Sequence, residues 1–157
     1  MFKTLQFIEN MRGAAFCLLA VHLDAGGLAE SLENEKAGEK VQGRIMALKE
    51  LNALFEPTLN LYSPLCQPKN SIITPESVDA FIQGEAALCK VIIAIFDAFD
   101  VKDFGAMNAI VARRRGVDFD ALPRVEKEKI VFFDNLQAFM AAREILDFVD
   151  LKERAAK

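Results

Sequence analysis

The chain has 157 residues, 52% of them hydrophobic and 27% charged, with a net charge of −4. That length and balance suit one globular domain spanning 1–157, large enough to bury a core without disulfide or metal support, and they exclude a disordered or fibrous chain. The acidic balance argues against a protein that grips phosphate backbones, and thirteen Phe against one Tyr and no Trp place most aromatic mass in the interior rather than on a stacking surface.

Residues 2–24 follow a helical period and predict a first helix, stopped by the Gly26-Gly27 pair. Lys3 and Arg12 precede the apolar run "GAAFCLLAV", the arrangement of a secretion leader, but Glu9 interrupts it. The run is also short of the ~20 apolar residues of a bilayer span. The expectation is a cytoplasmic protein without a leader and without a membrane partner. After the polar "ESLENEKAGEK", the stripe of Val41, Ile45, Leu48 and Phe55 predicts a second helix, ended at Glu56-Pro57. Residues 57–73, "PTLNLYSPLCQPKNSII", hold three prolines and read as one long irregular segment.

Thr74 then caps a third helix, with Pro75 at its first position and Glu76 at the positive end of its dipole, and this helix reaches Phe99. Asp100 with Asp103 opens a fourth, to Arg115. Asp120 caps a fifth, with Pro123 in its first turn, running close to the end of the sequence. No stretch reads as a strand. The fold class is all-α, an antiparallel bundle of about five helices.

Reaction signatures are missing. Cys17, Cys66 and Cys89 are far apart with no CxxC pair, so they read as reduced thiols in a reducing compartment. A di-iron bundle needs a Glu-x-x-His motif on each of two helices, and the chain has one histidine. Phosphate-cradling loops, a GxSxG elbow and HExxH are absent as well. Nothing in the sequence calls for a catalytic residue, a cofactor or a metal. His22 lies on the stripe of Ile8, Met11, Ala15 and Leu18, as a histidine at the edge of the core or a member of a ligand site; as a haem ligand an isolated histidine specifies little.

Arg113, Arg114 and Arg115 form the chain's only run of three arginines, followed by Gly116. Cations at the negative end of a helix dipole are what stability alone favours. Three successive residues also spread over about 200° of helix and cannot share one groove. The run reads as a basic helix end, with an anion or nucleic-acid contact as the functional alternative.

The most informative feature is a pair of charges inside apolar stripes. Glu85 lies among Val78, Phe81, Cys89, Ile92, Phe96 and Phe99, and Arg143 among Val125, Phe132, Leu136, Phe139 and Leu146. An unpaired buried charge is too costly to keep. Either the two meet, or they line a polar-floored pocket that orients a ligand. A third possibility is that the stripes face another protein, because Ile130, Phe133, Met140, Phe148 and Leu151 add a second apolar face. The leading expectation is a non-enzymatic protein acting by self-association or by binding another protein. The alternative is a helical pocket for a small, mostly apolar ligand; an enzyme using carboxylates ranks last.

Overall fold

Gly26 and Gly27 do not stop the first helix. In the computed structural model, which describes residues 2–35, 38–63 and 75–157, helix α1 runs Phe2–Glu33 through both glycines. The apolar period simply continues past them: Ala25, Leu28, Ala29 and Leu32 are buried. Each helical glycine costs about 1 kcal/mol relative to alanine, whereas fully burying each of two leucines returns roughly 1.5–3 kcal/mol. Tertiary packing therefore carries the helix across the pair. The extension also changes the comparison with a membrane span. By length and composition Gln6–Glu33 is apolar enough to cross a bilayer, and 39% of its most apolar window is buried inside the fold.

Helix α2, Glu39–Ala53, gives way at Leu54 to α3, Phe55–Tyr62. Residues 57–62, expected to be irregular, are thus helical, because Pro57 falls in the first turn of α3, where no helix hydrogen bond uses its nitrogen. Residues 64–74, with Cys66 and the expected Thr74 cap, lie outside the described residues. Helix α4 is Pro75–Ala98 and α5 is Phe104–Ala112. Asp103 opens α5, its Oδ1 accepting from the Ala106 N–H at 2.7 Å. Arg113–Arg115 form a separate 3-10 turn after α5, and Phe119–Ala121 form another. Asp120 consequently sits in a turn, and the N-cap of α6, Arg124–Ala142, is Pro123. The expected long fifth helix is two helices: α7, Phe148–Ala155, starts afresh at Asp147, whose Oδ1 accepts from the Asp150 N–H at 2.8 Å. The described residues contain no strand and seven α-helices rather than five.

Helices α4 and α6 end in the same way. Val101 N–H donates to Phe96 C=O at 2.8 Å and Asp100 N–H to Asp97 C=O at 3.2 Å. Ile145 N–H donates to Met140 C=O at 2.8 Å and Glu144 N–H to Ala141 C=O at 3.0 Å. These are paired Schellman bonds, and the residue at the left-handed position is Asp100 (φ 59°) in one and Glu144 (φ 60°) in the other, where glycine is usual. The strain is offset by the apolar residue that follows each, since Val101 and Ile145 are both buried. Asp100 therefore closes α4 instead of opening α5.

One core gathers all the helices. Helix α1 packs on α6, α2 and α3, α4 on α7, α2 and α3, and α5 on α6. Phe96 is the hub. Its ring meets Phe104 edge-on at 6.0 Å, and Phe133 and Phe148 stacked at 6.2 and 5.7 Å, tying α4 to α5, α6 and α7. Ile130, Phe132, Phe133, Leu136, Phe139 and Met140 are all buried. A single core thus covers both apolar faces of α6, and the surplus face expected there does not exist.

Replacing Glu144 by glycine should remove the left-handed strain and raise stability by up to about 1 kcal/mol, read from urea unfolding. Asp100→Gly should gain less, because aspartate tolerates this conformation better and its carboxylate pairs with Lys40 at 2.7 Å.

Candidate functional site

The Schellman turn at Glu144 places Arg143 at the C-cap of α6, with its guanidinium against α4. Glu85 and Arg143 meet there. Arg143 Nε donates to Glu85 Oε2 at 3.1 Å and Nη2 to the same oxygen at 2.5 Å, with both residues buried. Glu85 Oε1 accepts from Arg154 Nη1, so one carboxylate holds two guanidinium groups. Arg154 arrives because the chain breaks after α6 and α7 folds back along α4. Read as one continuous fifth helix, residues 123–151 hide this second partner. The signal that could have revealed it is Asp147 three residues before Asp150, a helix start inside the supposed helix.

Aromatic rings complete the floor. The Arg143 guanidinium lies 5.0 Å from the Phe81 ring centre and 5.9 Å from that of Tyr62. Tyr62 in turn packs on Phe81 at 5.7 Å and Phe139 at 6.3 Å. Tyr62 reaches this place because α3 rests closely on α4: a Cβ on Gly84 would collide with Leu61 Cδ1. Burial pulls the Arg143 guanidinium down, but the Glu85 charge and hydrogen bonds outweigh it, and the group titrates above its ordinary value. Burial, then the Glu85 charge, push the Tyr62 phenol up, and Arg143 only partly opposes them. The Tyr62 hydroxyl has no hydrogen-bond partner among the described residues. Cys89, one turn beyond Glu85, is buried, and desolvation with the Glu85 charge pushes its thiol up to about 12. Such a thiol is no nucleophile.

Glu85, Arg143 and Arg154 line a cavity of about 600 Å3. Its apolar walls are Phe7, Phe81 and Ile82, and its rim carries Gln6, Asn10, Glu144 and Lys157.

His22 is not part of this site. Its Nδ1 lies 2.9 Å from Asn52 Oδ1 and its ring stacks on Phe55 at 4.0 Å, so it joins α1 to α2 and α3. The arginine run also lies apart. Arg113 pairs with Glu126 at 3.5 Å and Arg114 with Asp134, both on α6, so two of the three are turned onto their own protein. A smaller cavity of about 410 Å3 lies between α1 and α6 beside Asp24, Asp120 and Glu128. Ser31 donates to both Glu128 oxygens at 2.9 and 2.8 Å. Burial raises the Asp24 carboxyl, against a hydrogen bond from Asn135. Among the described residues no group of three or more His, Cys, Asp or Glu side chains could hold a metal ion. No protein-family model matches the chain, and comparison with curated proteins and with solved structures found no match.

Glu85→Ala leaves two guanidinium groups facing an apolar wall and should cost about 3–5 kcal/mol in urea unfolding. Replacing Glu85 and Arg143 together by leucine and methionine should cost much less, so a double-mutant cycle should show strong coupling. Changing Arg113, Arg114 and Arg115 together to glutamine should cost at most about 1 kcal/mol, since these pairs are half-exposed. Salt-sensitive DNA binding lost in that variant would show a different role for them.

Proposed function

We propose that this chain is a non-enzymatic binding protein whose ligand is a small, mostly apolar molecule held in the cavity above Glu85, Arg143 and Arg154. One observation carries the reading: the buried charges of α4 and of the α6 end form the floor of a cavity instead of being sealed into the core. Its size of about 600 Å3 falls within the roughly 300–1,000 Å3 of small-molecule pockets, and apolar walls with few polar groups are their usual lining. Glu85 is fully engaged by two arginines and Cys89 is held as a neutral thiol, which favours binding over chemistry.

The neutral dye phenylnaphthylamine should show saturable single-site fluorescence enhancement that is lost in Ile82→Trp, a variant that fills the cavity from its partly exposed wall. If neither this dye nor its anionic sulfonate relative binds in a manner sensitive to Ile82→Trp, the pocket reading falls.

Self-association is the second reading, and a different observation favours it. Phe16, Leu19 and Leu23, one stripe at helical spacing on α1, are 76%, 43% and 65% exposed. Sedimentation equilibrium at micromolar concentration should then show a dimer that Phe16→Ser dissociates; a monomer throughout would remove this reading.

A further inference from the structure

We infer that the ligand of this cavity is an amphipathic anion, its acidic group bound by Arg154 and Lys157 and its apolar body laid against Phe7, Phe81 and Ile82. The inference rests on the pocket reading above and adds the charge and orientation of the ligand.

The cavity is lined by three cations, Arg143, Arg154 and Lys157, and by the side chains of Glu85 and Glu144. The three cations are not equally engaged. Arg143 places Nε and Nη2 on one Glu85 oxygen and is covered by two aromatic rings, so it has no face to offer. Arg154 commits Nη1 to the other Glu85 oxygen, while its Nη2 reaches only the Glu144 carbonyl at 3.4 Å, a long bond. Its side chain is 28% exposed against 10% for Arg143. The Glu85 carboxylate thereby anchors Arg154, whose less engaged guanidinium nitrogen lines the same cavity as Lys157. A planar guanidinium with an ammonium in the same lining is suited to the oxygens of a carboxylate, a sulfonate or a phosphate ester. Phe7 and Ile82 are 40% and 37% exposed on the same cavity, and covering them is the part of the affinity that a bare inorganic anion lacks.

The test uses two dyes of nearly the same apolar body, neutral phenylnaphthylamine and anionic anilinonaphthalene sulfonate, on the full chain. The anionic dye should bind about tenfold tighter or better, and Arg154→Gln should weaken the anionic dye more than the neutral one, reducing that preference to about threefold or less. Lys157→Gln, which touches none of the Glu85 contacts, should reduce it in part, and it carries the test if Arg154→Gln loses its helical circular dichroism. Decanoate and decyl phosphate should each displace the anionic dye well below the concentration at which decanol does, and their order tells a carboxylate ligand from a phosphate one. Equal binding of the two dyes, or displacement by decanol as readily as by the acids, would overturn the anion inference and leave the pocket standing. Failure of both dyes to bind in an Ile82-dependent way would remove the pocket itself.

Discussion

An ionised carboxylate within the apolar face of a helix can persist only if the fold delivers partners to it. At Glu85 the fold delivers two, and they come from either side of one chain break. The break itself is dictated locally, by left-handed Glu144 and by the Asp147 cap that restarts the helix. The interaction thus ties together the end of α6, the direction of α7 and the face that α4 turns inward. Without it, Tyr62 and Phe81 would border an uncompensated guanidinium.

The aromatic distribution follows the same division. Around Phe96 the rings pack against one another within the core. Around Tyr62 they pack against a cation, and the cavity opens beside them. The bundle therefore has an aromatic hub at Phe96, which joins α4 to α5, α6 and α7, and a charged cluster at Glu85, which joins α4 to the end of α6 and to α7.

Much of this was legible in the residues. Helical period along the chain is enough for an all-helical fold, and a glutamate and an arginine among leucines and phenylalanines mark themselves as residues in need of partners. What escaped has physical causes. Gly26-Gly27 resembles a stop until the buried leucines beyond it are weighed. Pro57 resembles a stop as well, because the same residue ends one helix or begins the next depending on a single turn at Leu54. The split of the last helix rests on Glu144 taking a glycine-like conformation, which composition does not announce. Arg154 was hidden by that split, since on an unbroken helix it would point far from Glu85.

The order in which the chain is made gives this clamp a temporal side. Glu85 lies 58 residues before Arg143 and 69 before Arg154, so at roughly 5–20 residues per second a nascent chain waits several seconds between the acid and its second base. During that interval α4 emerges without the two cations that hold Glu85 in the folded state. Helix α1 likewise precedes α6, its largest packing partner. The last two helices made are thus the ones that complete both the clamp and the core around α1 and α4.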